Sequence, residues 1–337
     1  MTAETTARPD TPLVSPGQAP RWLRGIFIAN LVAQIAIVVT GGIVRLTGSG
    51  LGCPTWPECV EGSYVPTSRQ EEAWHKYVEF GNRLLTFVLA ALALAAIIGA
   101  LAWWRRQRRS GGPARGPVLA LAAIPIVGTV VQAVLGGITV LTGLSPWAVG
   151  AHFLVSIGII AGCVALVVRS GEPGDRPVTR LVRPEVRLLG WALVWVTLVV
   201  VVLGVVVTGS GPHSGDADTE ARFGFDPRTV AWLHADAVLL FLGLTAGFLV
   251  ALRVTRAPAR TMWLTLVLLG VALAQGVIGY AQYFSGLPWA LVAIHMLGAC
   301  LVWASVVFVA LSMRARGPVS PDADGASDSP RLVTAEG

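Results

Sequence analysis

Eight stretches of this chain, at 22–47, 76–104, 117–142, 147–168, 188–209, 229–252, 261–284 and 289–313, are apolar for long enough to cross a bilayer. Roughly 20 residues of helix span about 30 Å of hydrocarbon. Inside that layer backbone N–H and C=O groups must be satisfied within the segment, which favours helix for runs of this length. With 54% hydrophobic and only 13% charged residues over 337 positions, the chain falls in the membrane class. The expected fold is an all-α, polytopic membrane protein with eight transmembrane helices.

Basic residues set the expected orientation, because loops retained in the cytoplasm carry Lys and Arg near helix ends. Arg21 and Arg24 precede the first span, and Arg105, Arg106, Arg108, Arg109 and Arg115 separate the second from the third. Arg169, Arg176, Arg180, Arg183 and Arg187 separate the fourth from the fifth, Arg253, Arg256 and Arg260 the sixth from the seventh, and Arg314 and Arg316 follow the eighth. Eight crossings put all of these on one side. The opposite loops hold Glu58, Glu61, Glu71, Glu72, Asp216, Asp218, Glu220 and Asp226. Both termini are therefore expected in the cytoplasm. The net charge of +6 reads as topology and excludes a nucleic-acid partner.

Residues 1–21 carry Pro9, Pro12, Pro16 and Pro20 and lack the apolar centre of a cleavable signal. Residues 314–337, rich in Pro, Ser, Asp and Gly, cannot bury enough apolar surface to fold alone. Both read as disordered cytoplasmic tails.

Two segments echo each other. Gln132 to His152 and Gln275 to His295 each run 20 residues from Gln to His, and the same offset aligns Gly136 with Gly279 and Gly143 with Gly286. Thr47-Gly48-Ser49-Gly50 and Thr208-Gly209-Ser210-Gly211 repeat at the ends of spans one and five. The chain thus divides into two tandem four-helix bundles, 22–169 and 188–313, joined by a cytoplasmic linker at 170–187 and sharing one orientation, as in parallel-repeat membrane folds. Glycines within the spans read mainly as points of close helix approach.

His152, His234 and His295 lie inside apolar spans, a costly placement unless the ring is partnered or functional. All three fall in the same leaflet. Two imidazoles approaching from opposite helices within an apolar wall suit a flat iron porphyrin, whereas zinc needs further donors that these surroundings lack. His234 and His295 supply both axial ligands in the second half. In the first half, the apolar pattern of span two overlaid on span six puts Asn82 where His234 stands, leaving His152 as the one imidazole and the opposite heme face open. Glu79, three residues before Asn82, shares its helix face. It either points toward that open face or pairs with Arg83 at i, i+4.

Arg45 either snorkels to the interface or pairs with a heme propionate, and Arg83 joins it among the cofactor-binding candidates. His75 reads as interfacial, though it is the other nearby imidazole able to ligate, and His213 as a loop residue. Cys53 and Cys59, in the loop assigned to the oxidising side, favour a disulfide that serves loop shape, redox exchange or heme transfer. Cys163 and Cys300 pack as small apolar groups.

At these residues the chain resembles the heme A synthase family of cytochrome oxidase assembly. The resemblance rests on the eight-span duplicated layout, the Gly52-Cys53-Pro54-Thr55-Trp56-Pro57-Glu58-Cys59 loop, the Glu79-Phe80-Gly81-Asn82-Arg83 stretch, and His152, His234 and His295, and covers about residues 22–313. It implies a bacterial plasma-membrane oxidoreductase that converts the C8 methyl of heme O, through hydroxylated intermediates, to the formyl group of heme A. It further implies that His234 and His295 hold a resident heme b, that His152 ligates the substrate heme, that Glu79 is the acidic residue needed for turnover, and that Cys53 and Cys59 are the outer thiol pair. Heme O, the bilayer, the enzyme that makes heme O and an electron acceptor are the implied partners. Asn82 departs from the family pattern, since many relatives carry His there. The alternatives are a b-type cytochrome electron-transfer subunit, which needs two fully ligated hemes, and a transporter, which needs a polar pathway that these apolar spans do not offer.

Overall fold

The computed structural model describes residues 17–68, 70–112, 115–175, 177–216 and 221–316. Among them are nine helices: α1 (Arg21–Leu46), α2 (His75–Arg109), α3 (Gly116–Ala122), α4 (Ile124–Leu141), α5 (Pro146–Ser170), α6 (Pro184–Ser210), α7 (Pro227–Val254), α8 (Ala259–Phe284) and α9 (Trp289–Ser312). With α3 and α4 taken as one segment, eight are long and apolar enough to cross a membrane. The chain is a multi-pass, all-α membrane protein. The third span differs from the single run expected: it breaks at Ala123, because Pro125 lacks an N–H and its ring crowds the preceding turn. Proline opens other helices where no donor is missed, as at Pro146, Pro184 and Pro227, the last preceded by Asp226, whose carboxylate accepts the Thr229 N–H at 2.8 Å.

Helices α1, α2, α4 and α5 pack in a closed ring, each against the next, and α6, α7, α8 and α9 close a second ring in the same order. The rings meet along α1, α5, α6 and α9. In the first, Asn30 Nδ2 on α1 donates to the Leu92 carbonyl of α2 at 2.9 Å, beside small residues such as Ala93 and Ala96 that allow close approach. Between the rings, Trp303 Nε1 on α9 donates to the Ile157 carbonyl of α5 at 2.8 Å. The largest buried cluster, including Ile160, Val164, Leu193, Phe248, Leu268 and Val306, fills this junction. Large apolar side chains such as Phe87, Val127, Trp195, Val250 and Val277 point outward, as a hydrocarbon surround requires.

The linker, and the described residues next to the first and last spans, are ordered where their composition suggested loose chain. Helix α6 begins at Pro184 rather than 188, and β1 (Thr179–Arg180) pairs antiparallel with β2 (Arg314–Ala315), so the C-terminal segment starts as a strand. Arg115, wholly buried, donates to the Arg169 carbonyl at 2.5 Å and pairs with Asp175, which Arg169 also holds. The Ala19 N–H bonds the Ser170 carbonyl at 2.9 Å. Residues 1–16 and 317–337 of the expected tails, with Arg176, Asp218 and Glu220, lie outside the described residues.

Candidate functional site

Four polar side chains occupy one level of the bundle, near the side where a disulfide-bearing loop joins α1 to α2. Asn82 comes seven residues after His75 at the head of α2, and His152 six after Pro146 of α5. His234 comes seven after Pro227 of α7, and His295 six after Trp289 of α9. At 1.5 Å per residue each lies about 9–11 Å inside its helix. Helices α7 and α9 stand across the second ring from one another, as α2 and α5 do across the first. His234 and His295 are thus a diagonal pair. Asn82 and His152 hold the matching diagonal in the first ring.

Each of the four leans on a glycine of the spanning helix that precedes its own. A Cβ at Gly41 would stand 3.8 Å from Asn82 Nδ2, one at Gly136 3.6 Å from His152 Cε1, one at Gly204 3.4 Å from His234 Cε1, and one at Gly279 3.3 Å from His295 Cε1. The missing side chains seat the rings against helix backbone. The Nδ1 atoms of His152 and His295, and Asn82 Oδ1, are buried with no hydrogen-bond partner among the described residues. Burying such groups unpaired is costly, and they recur at one level of the two rings.

The spacing from Gln to His has a direct structural meaning. Gln132 Nε2 donates to the His152 carbonyl at 3.0 Å and Gln275 Nε2 to the His295 carbonyl at 2.8 Å, tying each ring-bearing helix to its neighbour at the ring itself. Gln132 also bonds Ser156 Oγ, which reaches the same carbonyl at 3.2 Å.

Cys53 and Cys59 form a disulfide and are fully buried. Glu79 and Arg83 hold the loop it closes. Glu79 Oε2 accepts the Cys53 N–H at 2.7 Å, while Arg83 Nη2 donates to Glu79 Oε1 at 2.7 Å and to the Cys53 and Thr55 carbonyls at 2.9 and 3.0 Å; Nη1 reaches the Glu58 carbonyl at 3.2 Å. Of the two orientations open to Glu79, the structure adopts the pairing with Arg83, and both carboxylate oxygens serve the loop. Gly52 makes the docking possible: a Cβ there would lie 2.5 Å from the His75 carbonyl oxygen and 2.8 Å from Lys76 Cα. Trp56 covers Gly137 of α4, where a side chain would overlap its ring.

Arg45 spans the two rings at this end, with Nε donating to the His213 carbonyl at 2.8 Å and Nη2 to the Thr208 carbonyl at 3.4 Å. His75 Nδ1 bonds Ser49 Oγ at 2.8 Å and its ring stacks on Trp74, which engages it away from the four-residue level. Burial and nearby Arg45 hold the His213 imidazole below its ordinary range. Cys163 and Cys300 are buried, as packing groups would be. The roles of Gly41 and Gly204 as walls, the Gly52 contact and the Arg45 bridge escaped sequence reasoning. The aligned Gly136 and Gly279 were the signal available for the walls, but they read there only as packing.

The fold and this end of it define a polytopic membrane protein of eight spanning segments, with half-buried imidazoles at one level beneath a disulfide-braced loop. Residues 24–213 match the family described as cytochrome oxidase assembly protein, over half the chain, and the chain belongs to that family. It is similar to a heme A synthase of Bacillus licheniformis, 25% identical over 315 residues that cover 88% of this chain and 98% of the relative. Heme A synthases of Brucella anthropi and Brucella ovis are 27% and 28% identical over 331 residues, covering 85% of this chain and 89% of each relative.

Proposed function

We propose that this chain is a heme A synthase, an oxidoreductase that converts the C8 methyl of heme O to the formyl group of heme A for terminal oxidase biogenesis. The observation that carries the reading is the diagonal placement of His234 and His295 across one four-helix ring, each backed by a glycine of the preceding spanning helix. Such a donor pair fits heme b, whose axial ligands and apolar burial set its potential. When bound, that group supplies electron transfer. His152 anchors the substrate heme O in the first ring, which we take as a diverged copy of the second.

Glu79 stands one helical turn from Asn82, between that level and the loop. In this reading Glu79 Oε2, released from its bond with the Cys53 N–H, would take up a proton given off near Asn82, while the electrons of the oxidation would leave to the acceptor partner. Arg83 keeps the carboxylate in place, and Arg45 holds the two rings in register where propionates approach. The disulfide loop shields this end from water. Both termini lie in the cytoplasm, the loop faces the opposite side, and the enzyme that makes heme O and an electron acceptor are the partners.

Replacing Glu79 by Ala, in cells that make heme O, leaves the heme b spectrum in place while heme O accumulates and heme A is lost from the extracted pigments. Normal heme A output from this variant overturns the role given to Glu79. Heme b as the sole pigment of the wild-type protein favours an electron-transfer subunit instead.

A further inference from the structure

We propose that the last turns of α2 bind an anionic phospholipid, with Arg105 and Arg109 holding the headgroup phosphate while an acyl chain lies along Ile98, Leu94 and Phe87. Helix α2 has 35 residues, about 52 Å at 1.5 Å per residue, and so outruns the roughly 30 Å of hydrocarbon in a bilayer. Its uncharged run, 84–104, fills that thickness, and Arg105 follows at once. Phe87, Leu94 and Ile98 are exposed, on the face opposite buried Ala93, Ala96 and Ala100. Steps of four and seven residues stay on one helix face, and positions 87, 94, 98, 105 and 109 follow them. Arg105 and Arg109 therefore continue the apolar stripe into the headgroup layer, one helical turn apart.

These two arginines, with Arg106 and Arg108, are exposed, and none of the four forms an ion pair among the described residues. The acids on the same side are already engaged: Asp175 is held by Arg115 and Arg169, and Glu172 by Arg169, Arg314 and Arg316. Four guanidinium groups outweigh the roughly half negative charge of a helix C-terminus, so this end of α2 attracts anions. A phosphate suits it, because guanidinium N–H groups match phosphate oxygens two at a time. The stripe favours a lipid over free phosphate, since it gives an apolar tail a surface and sets the charge at headgroup depth. Trp104 marks that depth: the Arg108 guanidinium lies 4.9 Å from its ring centre, and tryptophan gathers at the membrane–water interface.

The test titrates the full-length protein in detergent with phosphatidylglycerol or phosphatidylcholine, read by native mass spectrometry and by unfolding temperature. Phosphatidylglycerol should stay bound to the wild type and raise its unfolding temperature at concentrations where phosphatidylcholine does neither. The double variant Arg105→Gln, Arg109→Gln should weaken that binding at least about tenfold. Arg253→Gln with Arg260→Gln removes the same charge from the connection between α7 and α8 and should leave it intact. Equal affinity for the two lipids overturns the proposal, as does unchanged binding in the α2 variant. An equal loss in both double variants also overturns it, by reducing the effect to general attraction of charge. Inorganic phosphate should leave the unfolding temperature unchanged, and a rise equal to the lipid's overturns the lipid as ligand. Residues 317–337 carry Asp322, Asp324 and Asp328. Lipid binding that emerges only once they are removed assigns the arginines to that segment and overturns the proposal.

Discussion

Gly279 lets the His295 ring lie against the backbone of α8. A methyl group at this position would come within 3.3 Å of Cε1, tighter than the corresponding 3.6 Å at Gly136. Gly279→Ala is therefore expected to push the His295 ring by a few tenths of an ångström and shift the low-spin electron paramagnetic resonance signal of the heme proposed for the second ring, while Gly136→Ala leaves its site unchanged. Gln275→Leu removes the 2.8 Å bond to the His295 carbonyl. It should cost about 1 kcal/mol by thermal unfolding in detergent, the scale of a single hydrogen bond between membrane helices. His213, held low by burial and by Arg45, resists protonation in the folded state. Its contribution to stability is complete above the ordinary imidazole value of 6.5 and is lost as pH falls below it. His213→Gln should flatten the unfolding temperature between pH 7 and pH 5, about the range over which histidine changes charge.

At the scale of elements, the disulfide loop and the head of α2 form one unit. Two backbones meet where Gly52 lies on His75 and Lys76, and neither can move aside cheaply. Gly52→Ala should cost about 1–3 kcal/mol, the price of overpacking. It should also expose the loop to limited proteolysis, since the Cys53 N–H leaves Glu79. Undiminished protease resistance would contradict this account of the docking. The loop and the rings carry complementary tasks: the helices hold four side chains at one level, and the loop, fastened by Arg83 through three of its carbonyls, covers that end.

Across the whole molecule, the two rings are joined by packing in the centre and by a few directed bonds. Trp303 ties α9 to α5, and Arg45 ties the end of α1 to the carbonyls of Thr208 and His213. Trp303→Phe keeps most of the buried area but removes the donor, at a cost of about 1 kcal/mol. Differential calorimetry should then show a lower transition; an unchanged one would mean the apolar seam alone holds the rings together. On the arginine-rich side, Arg115, Arg169 and Asp175 join the start of α3 to the segment after α5, and β1–β2 brings the C-terminal segment to the linker.

The number and approximate ends of the spans were legible from hydropathy, because burying a helix in lipid demands an unbroken apolar run that any reader of the chain can see. So were the three histidines within the spans and the cysteine pair, each conspicuous against that background. The direction of the Glu79 carboxylate, the Arg45 bridge and the strand pairing of Arg314–Ala315 were decided only in the tertiary structure. A charged side chain goes where its partners are, and here those partners are backbone groups of distant segments: Arg45 reaches His213 across 168 positions of chain. No local pattern encodes that meeting, which exists only once two rings have packed and brought their loops to the same end.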